Sequence, residues 1–187
     1  MFNEIILAGN SFGLTLKSSF VSDTRDRTVF ASEGVLQQIT GDLFLGIEGA
    51  SHLSLNHRTE SNKPYILKTF GFDWETVFQL KTILGIGAGL GSATSLPFYS
   101  KFFAGGNTTV RGFKGSSLGP LTYNESRDPN TCAAKAVEGK FIKCDAVGGD
   151  FLTAAQFNWI FSPPDFLGED TRSVRTTLFM DIGNVFE

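Results

Sequence analysis

The 187 residues predict an all-β chain, a partial transmembrane antiparallel β-barrel of about six strands. The sequence holds 19 Phe and 13% aromatic residues against 19% charged ones, so many rings face something other than water. Apolar residues recur at every second position, the pattern of a strand with one lipid-facing side and one wet side. No apolar stretch reaches the roughly 18 residues of a spanning helix before Gly, Thr, Asn, Gln or a charge interrupts it.

The first segment, Ser11 to Val21, alternates Phe12, Leu14, Leu16 and Phe20 with Ser11, Gly13, Thr15, Lys17 and Ser19. The second, Val35 to Glu48, sends Val35, Ile39, Leu43, Leu45 and Ile47 outward and Gln38, Thr40, Asp42, Gly46 and Glu48 inward; Leu36, Gln37 and Phe44 blur it. The third, about Tyr65 to Trp74, is expected to turn Ile66, Phe70, Phe72 and Trp74 to lipid and Thr69, Gly71 and Asp73 inward. Lys68 then falls on the outward face. A cation costs roughly 2–4 kcal/mol at the bilayer midplane and about 0–1 near the interface, which places Lys68 at the rim beside Pro64.

A turn at Glu75 to Gln79 leads into the fourth segment, Leu80 to Gly91. There Leu80, Thr82, Leu84, Ile86, Ala88 and Leu90 alternate with Lys81, Ile83, Gly85, Gly87, Gly89 and Gly91. No frame of these glycines fits the dinucleotide fingerprint G-x-G-x-x-G/A. A glycine row in a strand instead marks a place where other backbone comes close, so this face is a landing surface. The fifth segment, Val147 to Ser162, sends Phe151, Thr153, Ala155, Phe157, Trp159 and Phe161 outward and Asp150, Gln156, Asn158 and Ser162 inward. The sixth, Val174 to Phe186, opposes Val174, Thr176, Leu178, Met180, Ile182 and Phe186 to Arg175, Thr177, Phe179, Asp181, Gly183 and Val185, so Asp181 points inward.

Two connections, Asp23 to Gly34 and Ser162 to Thr171, are modest turns, whereas 93–146 far exceeds the roughly 12–15 residues of an idle loop. In bacterial barrels the short turns are periplasmic and the long loops external. About six strands cannot close a barrel, and each unpaired edge group in lipid costs several kcal/mol, so residues 1–187 are expected to form part of a larger barrel domain. Met1 to Leu16 lacks the basic leader and continuous apolar core of a signal peptide.

A net charge of −3 without a Lys/Arg block gives no reason to propose nucleic-acid binding. An enzyme is not expected either: no Ser/His/Asp set, Walker loop or H-E-x-x-H is present. Cys132 and Cys144 lie in a polar Gly/Asn/Lys-rich stretch; they are a loop-closing pair in an oxidising compartment or free thiols in a reducing one. His52 and His57 are too distant to complete a metal site with them and are expected to be solvated in an external connection. No metal or cofactor is expected.

The long loop contains Pro97-Phe98-Tyr99-Ser100-Lys101-Phe102-Phe103-Ala104-Gly105-Gly106-Asn107-Thr108-Thr109-Val110-Arg111-Gly112-Phe113. Leu118-Gly119-Pro120, the cysteine pair and Asp145-Ala146-Val147-Gly148-Gly149 follow. Asp23-Thr24-Arg25-Asp26 with Gly34, Ser173-Val174-Arg175-Thr176 and Phe179-Met180-Asp181-Ile182-Gly183 add to the pattern. Together they resemble, in order and over nearly the whole chain, the middle and late barrel of the BamA family and its sixth loop. That family supplies the barrel subunit of the bacterial outer-membrane β-barrel assembly machinery.

The resemblance implies an outer-membrane barrel of about sixteen strands behind POTRA domains, which folds and inserts client β-barrel proteins at a weak seam with accessory lipoproteins. It implies that Val110, Arg111, Gly112 and Phe113 fold into the lumen as a latch, with Arg111 on an inward acid. Asp181 matches the acceptor, and Asn158 stands where the family often carries Glu. Gly112 lets the loop turn tightly, and Phe113 fills space beside the wall. Cys132 and Cys144 become a disulfide, contributing about 2–3 kcal/mol of loop ordering. The alternative is a polypeptide transporter of the two-partner-secretion type, which carries a similar loop; the cysteine pair and the 145–149 motif favour assembly. A porin has no use for this loop, and a soluble barrel would not turn Phe151, Phe157, Trp159 and Phe161 outward.

Overall fold

The alternating segments pair side by side. The computed structural model describes residues 13–47, 51–69, 72–91, 93–122, 145–161 and 175–187. Its strands are β1 (Gly13–Asp23), β2 (Gly34–Gly46), β3 (Ser51–Thr69), β4 (Phe72–Leu90), β5 (Leu121–Thr122), β6 (Asp145–Ala146), β7 (Phe151–Phe161) and β8 (Thr176–Phe186). Six of them form one open antiparallel sheet in the order β1-β2-β3-β4-β7-β8; β5 and β6 pair separately within the long connection.

One face of the sheet is apolar yet uncovered: Leu14, Leu16 and Phe20 on β1 and Leu178, Met180, Ile182 and Phe186 on β8 are all exposed. A patch of that extent fits a lipid contact rather than a solvated surface. The register also shows how the strands run. Ser22, Gln37, Thr59, Thr82, Ala155 and Ile182 form one outward cross-strand row, polar at β1 and apolar at β8. The apolar band therefore climbs across the sheet, as it must when strands tilt by about 35–45°.

The third segment is where expectation and structure part. Tyr65 to Trp74 is not one strand with a turn at Glu75 to Gln79. It straddles two: Thr69 pairs with Phe72, Leu67 with Trp74 and Tyr65 with Thr76. The chain reverses without interrupting the alternation, so two strand ends read as a single strand. The faces of Ile66 and Lys68 change accordingly. Both share the lumenal parity of Glu60 and Asn62, and Lys68 stands opposite Asp73 rather than toward lipid. His52 and His57 belong to β3, not to an external connection; His52 is 5% exposed, stacks on Phe44 and shares a hydrogen bond between its Nε2 and Ser100 Oγ at 2.9 Å.

The other face carries the core, which lies between the wall and the loop folded upon it. Ile83, Leu152, Ala154 and Val185 from the strands bury Ala104 and Val110 from the loop, flanked by Phe102 and Leu118. The glycine face of β4 receives this loop. Phe102 lies over Gly85, Leu96 over Gly87 and Ala93 over Gly89. Backbone bonds tie it down, with Phe102 and Gly149 exchanging N–H···O contacts of 2.9 and 3.0 Å.

Candidate functional site

The 105–113 segment folds as a tight hairpin because its glycines permit it. Gly105, Gly106 and Gly112 have φ of 110°, 88° and 87°, values that penalise any residue with a Cβ. Thr109 Oγ1 accepts from Gly105 N–H at 2.8 Å and donates to Gly105 O at 3.1 Å, while Gly106 N–H donates to Phe113 O at 3.1 Å. Val110 is buried in the core, which fixes where its neighbour Arg111 emerges.

Arg111 meets the wall through its backbone and its side chain. Its N–H donates to Asp181 Oδ2 at 2.8 Å, Nε to the same oxygen at 2.7 Å, and Nη2 to Asp181 Oδ1 at 2.5 Å. Nη2 also donates to Asn158 Oδ1 at 2.6 Å. The guanidinium is planar and its fork matches both carboxylate oxygens. The Asp181 side chain is only 3% exposed, so its charge has little water and depends on Arg111. Gln156 Nε2 adds a bond to Asn107 O at 3.2 Å, holding the hairpin one turn earlier.

The structure thus brings together Val110, Arg111, Asn158 and Asp181. Gly112 supplies a backbone conformation rather than space, since a Cβ there would meet nothing within 4 Å. Phe113 departs from expectation: it is 53% exposed and does not fill the wall. The ring beside Arg111 is instead that of Phe179, its centroid 4.0 Å from Arg111 Cζ and its other side exposed. Its inward parity was visible in the sixth segment, but nothing in the sequence joined it to the loop. Cys132 and Cys144 lie outside the described residues. Among the described residues no three of His, Cys, Asp and Glu gather as metal ligands.

Fold and site together define a barrel wall of the outer-membrane type with a loop clamped against one face of it. The chain belongs to the Omp85 superfamily, whose domain matches residues 5–187. It is 26% identical over 162 residues to the outer membrane protein assembly factor BamA of Neisseria meningitidis serogroup B, covering 87% of this chain and 17% of that protein. Among solved structures, the crystal structure of BamA from Haemophilus ducreyi lacking POTRA domains 1–3 matches with a TM-score of 0.67 at 24% identity, over 91% of this chain and 29% of that one. The chain therefore spans less than a third of the length of either of these relatives.

Proposed function

We propose that this chain is the middle-to-late barrel wall of an outer-membrane protein assembly factor, which folds and inserts client β-barrel proteins into the bacterial outer membrane. Its Val110–Phe113 loop serves as a latch in the lumen, and Asp181 and Asn158 receive Arg111. The observation that carries the latch is one carboxylate accepting both the backbone N–H and the guanidinium of Arg111. The work is conformational: client insertion needs a wall that holds its shape while a seam elsewhere opens, and it asks for no bond-making and no cofactor. Partners are the lipid bilayer, the clients and the accessory lipoproteins of the assembly complex; a disulfide between Cys132 and Cys144 ties the outer part of the loop.

The test is complementation with the full-length protein carrying Arg111→Ala or Asp181→Ala. Lower levels of outer-membrane barrels and sensitivity to detergents and large antibiotics are expected. Normal barrel levels with both variants would remove the latch. Normal levels together with loss of one secreted polypeptide would support the transporter reading instead.

A further inference from the structure

The inner wall carries side-chain amides in a single cross-strand row. Asn62 on β3 stands opposite Gln79 on β4, and Gln79 stands opposite Asn158 on β7. The row begins at Gly34, where the 24–33 turn enters β2, and ends at Phe179 beneath the Arg111 guanidinium. Asn62 and Asn158 are 4% and 5% exposed, so their polar atoms are satisfied from within the protein.

The sense of each amide is fixed from both ends. Arg111 Nη2 donates to Asn158 Oδ1 at 2.6 Å, which turns Asn158 Nδ2 toward Gln79 Oε1 at 3.0 Å. Gln79 Nε2 then faces Asn62 Oδ1 at 2.8 Å and Glu60 Oε1 at 3.2 Å. Glu60 is held in turn by Lys81 Nζ at 3.5 Å and by Arg25 Nη1 at 3.4 Å. Arg25 belongs to the turn and clamps Asp23 through Nε and Nη2 at 2.9 and 2.8 Å. A carboxamide accepts at one end and donates at the other, so a guanidinium on one side and a carboxylate on the other allow only this sense. Reversing one amide alone would set donor against donor.

We propose that this row couples the docking state of the loop to the order of the 24–33 turn, with Gln79 as the positioning residue between them. The proposal rests on the latch reading of Arg111. When Arg111 leaves, Asn158 Oδ1 loses the donor that fixes its sense, Gln79 is held from the Glu60 and Asn62 side alone, and Glu60 holds Arg25 less firmly. Both ends then bias one hydrogen-bonded element, which is the physical requirement for coupling.

The experiment is hydrogen exchange on the full-length protein in lipid nanodiscs, following the amides of residues 24–35. Arg111→Ala is expected to speed their exchange by about tenfold, and to add nothing further in a Gln79→Leu background. Gln79→Glu keeps the acceptor for Asn158 but sets a carboxylate against Glu60, so it is expected to loosen the turn while the loop stays protected from protease. Unchanged turn exchange in Arg111→Ala, or equal acceleration with and without Gln79, would overturn the coupling. Outer-membrane barrel levels, measured in parallel, separate the two ideas: normal levels in Arg111→Ala sink the latch, whereas reduced levels with an unchanged turn sink only the coupling.

Discussion

The ring of Phe102 lies on the bare backbone of Gly85, where a Cβ would stand 2.8 Å from ring atom Cε1. Gly85→Ala must therefore push the ring, and the loop with it, off the wall. Overpacking of this kind costs about 1–3 kcal/mol. A control is available at Gly41, where an added Cβ would meet Leu55 Cδ1 at an ordinary 3.8 Å. Urea unfolding of the full-length protein should show a lower midpoint for Gly85→Ala and a change within about 0.5 kcal/mol for Gly41→Ala.

Removing Arg111 strands a buried carboxylate. Arg111→Ala is expected to destabilise the folded barrel by about 3–5 kcal/mol, because Asp181 keeps its desolvation cost and loses its partner. Arg111→Lys retains charge without the fork, so it should fall between Ala and wild type. The double variant Arg111→Ala/Asp181→Ala should be less damaged than the sum of the single ones. Thermal unfolding followed by the gel-mobility shift of heated barrels would read the wild type and all four variants; strict additivity would contradict the pairing.

Phe179 contributes through the face of its ring, 4.0 Å from Arg111 Cζ. Phe179→Leu should lose about 0.5–1 kcal/mol of loop docking, and Phe179→Tyr should lose little, since both aromatic rings offer a negative face. Protease cleavage rates within residues 93–122 measure this directly. Equal protection in the Leu and Tyr variants would exclude a role for the ring electrons.

The 24–33 turn carries a pH dependence of known sign. The backbone N–H groups of Glu33 and Ser32 donate to Asp26 Oδ1 at 3.1 and 2.8 Å and hold its carboxyl below the ordinary carboxylate value of 3.8. A depressed folded value means the contribution to turn order is complete above about 3.8 and disappears as pH falls through the folded value. Exchange of the Ser32 and Glu33 amides, corrected for intrinsic rates, should therefore be flat from pH 7 to 5 and accelerate only in stronger acid. Asp26→Asn should remove that transition.

Legibility followed the lipid. Strands β1, β2, β7, β8 and the second half of β4 keep apolar side chains toward the hydrocarbon, so the alternation stands in the sequence. The outward residues in the middle of β3 are His57, Thr59, Ser61 and Lys63, where the climbing band has left that strand, and the contrast between faces disappears. Of the site, the loop motif marks Arg111 and parity marks Asp181. Phe179 and Gln79 escape notice because their roles depend on which strands become neighbours, and Gln79 falls where polarity suggests a turn. Phe113 misleads for the opposite reason: a large ring beside a motif suggests burial, but the Gly112 backbone carries it away from the wall.

Strands β3 and β4 each run for 19 residues, about 60 Å at about 3.3 Å per residue. About 9–11 residues suffice for a tilted strand to cross a bilayer. At the end away from the loop, this hairpin continues past Asn62, which faces the first residue of β2, and past Thr76, which faces the last residue of β7. A two-stranded spur therefore runs on beyond the paired residues of β2 and β7. Its root is the stretch of wall that bears Asn62 and Gln79, so any torque applied to the spur acts first on that root.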